Sequence, residues 1–99
     1  MSYEVVWSEK AEEQFNHVFD YLVEYWSIDV AIRFANDVDD VVKMLQSMPY
    51  IGQVSEQDSR IRMILITSKN AFYYWVDDST IYLLTLIDTR QNPMNPKFY

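Results

Sequence analysis

Four cationic side chains in the second half of the chain are the residues best suited to do chemistry. Arg60 and Arg62 are two residues apart, which puts both on one face of an extended strand, and Lys69 and Arg90 follow. Arginines on a sheet can hold a phosphate or a carboxylate through paired hydrogen bonds. Tyrosines of the same region could help these cations to form a small RNA-binding patch: Tyr73, Tyr74, Tyr82 and Tyr99. The alternative is that the arginines pair with acidic residues of this same chain.

Most other catalytic chemistries lack the residues that they need. The sequence has no cysteine and a single histidine, His17, which we expect at a solvated helix edge. Asp37 and Asp40 share one side of a helix and Asp39 points elsewhere, so a charged helix face is a better interpretation than a metal site. The one glycine, Gly52, leaves no phosphate-binding loop. We therefore expect no metal and no cofactor, and the sequence does not support a serine hydrolase, a dehydrogenase or a kinase.

Charge is divided unevenly along the 99 residues. The net charge is −7 and the pI about 4.4, which opposes non-specific binding to nucleic acid. Residues 1–58 carry three Lys or Arg against twelve Asp or Glu, a net of −9, whereas residues 59–99 carry five against three, a net of +2. This asymmetry indicates that the two parts of the chain contact different surroundings.

Length and composition predict a single domain, 1–99. Hydrophobic residues make up 49 % of the chain, enough for one core without disulfides. No run of 18 uncharged apolar residues is present, and the first residues lack the basic and apolar regions of a secretory signal. We expect a cytoplasmic protein without a membrane segment.

Two amphipathic helices are predicted after a short apolar strand at residues 3–7. Ser8 can cap the first helix, and Ser27 or Asp29 the second. Pro49 ends the second helix, because a residue before proline avoids the helical conformation. Apolar residues recur at helical spacing: Phe15, Val18, Phe19, Leu22 and Val23, then Ala31, Phe34, Ala35, Val38, Val41, Val42, Leu45 and Met48. The short connection between the helices predicts an antiparallel helical hairpin.

Three further strands are predicted after a loop at residues 49–59. The apolar runs at 61–67, 71–76 and 80–87 are joined by short connectors, which predicts an antiparallel meander. The fold class is therefore α+β, with the helical hairpin on one face of the sheet and an extended tail at 88–99. Both sheet faces are apolar. The second face is covered either by the tail and loops or by a partner or second copy.

Short motifs spread over the chain occur in the order typical of one family. Trp7-Ser8 precedes an acidic helix, and the second helix with Ala31, Arg33, Phe34 and Leu45 is followed by Pro49 and Gly52. Arg60 begins a strand, residues 72–78 form an aromatic strand with an acidic turn, and residues 87–93 resemble a strand end with basic residues and a proline. In this order and spacing the whole chain resembles the RelE/ParE superfamily of type II toxin–antitoxin toxins, also called plasmid stabilisation proteins.

The resemblance implies a toxin that arrests growth unless an antitoxin binds it. RelE-like members cut mRNA in the ribosome, and here their catalytic residues would be sought among Arg60, Arg62, Lys69, Arg90 and Tyr99. ParE-like members inhibit DNA gyrase without being enzymes. In either case the candidate contacts to target or antitoxin are Arg60, Arg62, Tyr73, Trp75 and Arg90.

Departures from the family pattern favour the ParE-like activity. Asp88 and Thr89 stand where many members have histidine or basic residues, Gln91 replaces a frequent arginine, and Trp75 stands where arginine is common. A ribonuclease needs cations to stabilise its transition state. We therefore expect a gyrase-binding toxin that is not an enzyme. The alternatives are a metal-independent, ribosome-dependent endoribonuclease and a homologue without toxicity that acts as a protein-binding module.

Overall fold

Two helices and five strands make up most of residues 2–90, the part of the chain that the computed structural model describes. In chain order they are β1 (Glu4–Trp7), α1 (Glu9–Tyr25), α2 (Ile28–Ser47), β2 (Gln53–Val54), β3 (Ile61–Leu65), β4 (Asn70–Asp77) and β5 (Thr80–Asp88). The predicted α+β class and order of elements are confirmed, and β2 is an addition within the predicted loop. Two residues are too few to give a periodic signal. Of the predicted tail, Asp88 belongs to β5, and residues 91–99 lie outside the described part.

Serine caps begin both helices, as their positions predicted. The hydroxyl of Ser8 accepts a hydrogen bond from the Ala11 N–H at 2.9 Å, and that of Ser27 accepts from the Val30 N–H at 3.1 Å. Each side chain satisfies a backbone donor that has no partner within the helix. The second helix ends at Ser47, just ahead of Pro49. Neither helix is apolar over a length sufficient to cross a membrane.

The sheet places the first strand beside the last. Its order is β1-β5-β4-β3-β2, with β1 parallel to β5 and the other pairs antiparallel. Asp77 pairs with Thr80 across a two-residue turn in which Asp78 has a φ of 56°. Aspartate tolerates this left-handed conformation better than most residues. The parallel pairing depends on contacts between distant residues and was not part of the sequence prediction.

The main core lies between the helical hairpin and one sheet face. Phe34, Leu45, Phe72, Tyr74 and Leu83 are among its buried members. Burying such side chains contributes about 1.5–3 kcal/mol each relative to exposure, so this layer supplies much of the stability. The apolar spacing of the helices therefore predicted most of the face of the hairpin that meets the sheet, but Val23 and Met48, which belong to that spacing, are exposed.

A second, smaller cluster lies on the opposite sheet face. Ile61 and Tyr73 are buried there among Met63, Leu84 and Ile87. Trp75 lies on the same face, because it pairs directly with Ile61 across β3 and β4. Its ring packs against Tyr82 at 5.4 Å and remains partly exposed. The alternation in the sequence thus correctly predicted two apolar sheet faces.

Candidate functional site

A groove separates the helical hairpin from one end of the sheet, and we call it the end groove. Its volume is about 930 Å³, within the size range of ligand-binding clefts. Apolar side chains from both helices and from β5 line it: Val18, Leu22, Val30, Phe34, Leu86 and Ile87. Ionisable side chains also line it: Glu13, His17, Arg33, Asp37, Lys69, Asp88 and Arg90. An apolar surface among charges of both signs suits an amphipathic protein segment.

The β3–β4 turn and the end of β5 bring two predicted site residues to this groove. The Thr89 N–H donates to the Lys69 carbonyl at 2.9 Å, and the Thr89 hydroxyl donates to the Ser68 carbonyl at 2.8 Å. These bonds fix the residue before Arg90 to the turn that carries Lys69. Lys69 and Arg90 therefore contribute positive charge to the same end of the sheet.

Asp88 holds the Arg90 side chain in one orientation. The Arg90 Nε donates to Asp88 Oδ1 at 3.0 Å and Nη2 donates to Oδ2 at 2.7 Å, while the Arg90 backbone N–H also donates to Oδ1 at 2.9 Å. Hydrogen bonding by Arg90 lowers the pKa of Asp88 to about 2 and raises the pKa of Arg90. The carboxylate is therefore charged at any physiological pH, and an incoming anion must compete with it for this guanidinium.

The helical side of the groove is fixed to β5 through Gln14. Its Oε1 accepts from the Leu86 N–H at 2.8 Å and from the Thr85 hydroxyl at 3.0 Å. The Ser8 hydroxyl donates to the Leu84 carbonyl at 2.8 Å. Pairing between β1 and β5 ends at Leu83. Beyond that point, Ser8 and Gln14 take the place of a neighbouring strand, because they form hydrogen bonds with backbone groups of β5. The helix is thereby held in register with the sheet.

Arg60 lies away from the end groove. It immediately precedes β3, while Lys69 follows that strand, and five residues of strand span roughly 17 Å. Asp58 holds Arg60 as Asp88 holds Arg90, with Nε to Oδ1 at 3.1 Å and Nη2 to Oδ2 at 2.9 Å. The predicted cationic set therefore divides between two ends of the sheet. Arg60 and Arg62 were predicted to lie on one face of the same strand. That prediction is wrong for Arg60, which belongs to the turn before β3.

Arg62 supports the loop after the second helix. Its Nη1 donates to the Tyr50 carbonyl at 2.9 Å and the Gly52 carbonyl at 2.8 Å. The Gly52 N–H in turn donates to the buried Tyr74 hydroxyl at 2.9 Å, and burial raises the pKa of Tyr74. A Cβ on Gly52 would lie 2.5 Å from that hydroxyl oxygen, so only glycine fits. The observed partners of Arg62 give it a structural role.

The remaining predicted contact residues lie on the second sheet face or beyond the described residues. Tyr73 is buried in the small cluster, and burial raises the pKa of its hydroxyl. Trp75 is 37 % exposed and accessible to a partner. Tyr99 lies outside the described residues. The structure brings Lys69 and Arg90 together and keeps them apart from Arg60.

Sequence reasoning missed the helical residues of the groove. Tyr21 and Trp26 line it, and so do Arg33 and Asp37. Their position opposite Lys69 and Arg90 depends on how the helical hairpin packs, which the sequence does not state. One signal was present: Tyr21 and Trp26 are large aromatic residues outside the apolar spacing of the first helix. Within residues 2–90 no three His, Asp or Glu side chains are grouped as a metal site requires.

The architecture, with a helical hairpin on a five-stranded sheet, defines a small α+β protein. The chain belongs to the family described as ParE toxin of type II toxin–antitoxin system, parDE, whose model matches residues 5–93. Such membership implies an antitoxin as partner. No curated protein gives a significant match.

Two solved structures share the fold at low sequence identity. One is from the chromosomal ParDE system of P. aeruginosa, with a TM-score of 0.74 and 20 % identity over 88 % of this chain and 96 % of that one. The other is the YoeB/ParE toxin from Agrobacterium tumefaciens, with a TM-score of 0.62 and 13 % identity over 86 % of this chain and 96 % of that one. The predicted family is thus confirmed, and at these identities the structures show the fold alone.

Proposed function

We propose that the protein arrests growth by binding DNA gyrase without catalysing a reaction, and that its antitoxin neutralises it by occupying the end groove. The observation that supports this is the engagement of the arginines with groups of the chain itself. Arg60 and Arg90 hold Asp58 and Asp88, and Arg62 binds two backbone carbonyls. Side chains used in this way serve binding and folding better than they serve phosphate transfer.

A ribonuclease places stronger demands on the site. Cleavage of RNA develops negative charge on a phosphorus centre, and preorganised cations aimed at that charge usually supply the largest part of the stabilisation. Here Asp88 presents a carboxylate directly beside the Arg90 guanidinium in the end groove. This negative charge repels a phosphate and reduces the value of Arg90 as a catalytic group.

The end groove fits an antitoxin segment through its mixed lining. The exposed rings of Tyr21 and Trp26 offer apolar surface. The exposed Lys69 and Arg33 offer positive charge in the same groove. A partner segment with apolar residues flanked by acids would match both the apolar surface and the positive charge of the groove. Charge pairs at such a rim chiefly set specificity and the rate of association.

Gyrase supercoiling with the purified chain tests the activity. We expect inhibition of supercoiling and no ribosome-dependent cleavage of mRNA. mRNA cleavage without gyrase inhibition would establish the ribonuclease instead. Normal growth at high soluble expression, with neither activity, would leave a protein-binding module without toxicity.

Co-expression with the product of the neighbouring gene tests neutralisation. Growth should be restored in wild type, and Lys69→Glu should weaken binding of that product because it reverses a charge at the groove. Lys43→Glu is the matched control, since Lys43 is an exposed cation of α2 that pairs with Asp39 outside the groove. Equal loss of binding in both variants would contradict a role for the end groove.

A further inference from the structure

Exposed apolar side chains are concentrated where the two helices meet. Six of the thirteen large apolar side chains exposed within residues 2–90 fall between positions 21 and 32. Five of them define what we call the hairpin tip: Tyr21, Tyr25, Trp26, Ile28 and Ile32. Tyr25 and Trp26 are each 66 % exposed. Since an aromatic side chain carries about 150–250 Å² of surface, these two alone present roughly 200–300 Å² to solvent.

The hairpin tip is held rigidly. Tyr21 and Tyr25 are one helical turn apart, with ring centroids 5.0 Å from each other. Trp26 caps the end of α1 through its N–H, which donates to the Leu22 carbonyl at 3.0 Å, and Ser27 caps the start of α2. Aromatic side chains have few rotatable bonds and therefore lose little conformational entropy on binding, which favours them at interface hot spots.

The charged side chains of the hairpin tip that lie outside the end groove are acidic. Residues 11–32 contain no lysine or arginine, and Asp20, Glu24 and Asp29 are exposed acids of this segment. The end groove, by contrast, carries charges of both signs: Arg33, Lys69 and Arg90 against Glu13, Asp37 and Asp88. Two surfaces that differ in charge fit partners that differ in charge.

We propose that the hairpin tip is the surface that docks the target of the toxin, at a site of the target where an apolar pocket is surrounded by basic side chains. This rests on the proposed function, because it assigns to the gyrase interaction a surface separate from the antitoxin groove. A second copy of this chain is a poorer occupant, since two tips face to face would bring Asp20, Glu24 and Asp29 of both copies together.

The same geometry explains how an antitoxin could block the target. Tyr21 and Trp26 belong to the hairpin tip and also line the end groove. An antitoxin segment that fills the groove covers these two rings, and the tip then loses part of its apolar surface. Neutralisation follows from competition for shared side chains.

The test measures binding of purified DNA gyrase to the full chain and to two tip variants, Tyr25→Gln and Ile32→Gln. Both side chains are exposed, so the variants should fold. We expect each to raise the Kd for gyrase by at least about tenfold, as hot-spot residues do. The control is Met48→Gln, whose side chain is as exposed as that of Ile32 but lies at the other end of α2, about 24 Å from Ile32 along the helix. It should change the Kd less than about twofold.

A charge variant examines the basic rim of the target. Glu24→Lys should weaken gyrase binding, whereas Glu56→Lys, with the same change of net charge on a distant exposed loop, should not. Wild-type affinity in both Tyr25→Gln and Ile32→Gln overturns the proposal and leaves the proposed function intact. Absence of gyrase binding by wild type overturns both. If the tip variants lose antitoxin binding or self-association and still bind gyrase normally, the tip has another occupant and the proposal is also wrong.

Discussion

Arginine side chains in this protein serve two different purposes, and their partners distinguish them. Arg60 and Arg90 each form a bidentate ion pair with an aspartate two residues earlier, in the sequences Asp58-Ser59-Arg60 and Asp88-Thr89-Arg90. Arg62 binds backbone carbonyls of a neighbouring loop. The forked arginines keep an exposed guanidinium in a fixed position, whereas Arg62 keeps a loop in place.

Replacing Arg62 should therefore affect stability. Arg62→Gln removes two hydrogen bonds to carbonyls from a charged donor and should lower the free energy of unfolding by about 1–2 kcal/mol. Urea unfolding measures this change. Lys43→Gln, which breaks an exposed ion pair with Asp39, is the control and should leave the unfolding midpoint unchanged. Equal midpoints for the two variants would show that the loop does not need Arg62.

The pairing of Asp88 with Arg90 predicts an acid-range titration. In the folded chain the pKa of Asp88 is about 2, against an ordinary value of 3.8. A lowered pKa stabilises the folded state above pH 3.8, and this contribution is lost as the pH falls through 2. Carboxyl chemical shifts measured by NMR should show this value, and in Arg90→Gln it should return toward 3.8. A pKa unaffected by that substitution would mean that the fork does not form in solution.

At the scale of elements, the strand β5 organises the end groove. It pairs with β4 and β1 along its length, and beyond the end of β1 it is completed by side chains of α1. The beginning of α1 is therefore both a helix terminus and a substitute for a missing strand. Ser8 combines the two roles, whereas Ser27 has only the first.

Alanine substitutions of the two capping serines should separate these roles. Ser27→Ala should lower the free energy of unfolding by about 1 kcal/mol, the usual effect of losing a cap. Ser8→Ala should lower it by about 2 kcal/mol, because the Leu84 carbonyl also loses a donor. Ser8→Asp keeps the acceptor that caps the helix but loses the hydroxyl that donates to the Leu84 carbonyl. Its free energy of unfolding, measured by thermal or urea unfolding, should therefore lie between those of wild type and Ser8→Ala. Equal effects of Ser8→Ala and Ser27→Ala would contradict the second role.

The sequence predicted the helical hairpin and the long strands because each has a local signal, and it predicted the family because several short motifs occur in a typical order along the chain. Ser8, Ser27 and Pro49 mark helix ends, and alternating residues such as Phe72 and Tyr73 mark a sheet with two apolar faces. The end groove had no such signal. Tyr21 and Arg90 line the same groove only because α1 is docked on β5, and that contact joins residues far apart in the chain.

In the whole molecule, charge is distributed unevenly between two surfaces, as it is along the sequence. Asp20, Glu24 and Asp29 give the part of the hairpin tip outside the end groove an acidic character. The end groove carries cations, among them Lys69 and Arg90, together with acids. The net charge of −7 therefore describes neither surface. The acids of the hairpin tip argue against a nucleic-acid ligand there and are compatible with a basic protein partner.

Salt should slow association with gyrase. If the acids of the hairpin tip steer a basic target, the association rate constant should fall as ionic strength rises from 50 to about 300 mM, while the dissociation rate constant changes little. Rapid-mixing or surface-binding kinetics give both constants. Glu24→Lys should flatten the salt dependence, and Glu56→Lys should preserve it. An association rate that rises with salt would indicate repulsion between the two surfaces.

The pairing of β1 with β5 has a consequence for how the protein is made. Glu4 lies beside Thr80, so the first strand has no strand partner until residues near position 80 have been synthesised. Contacts between such distant residues form late and slow the folding of the sheet. A chain that ends before residue 80 lacks both the strand that pairs with β1 and the Asp88–Arg90 pair of the end groove. Completion of the sheet and of the groove therefore depends on the same late segment of the chain, β5.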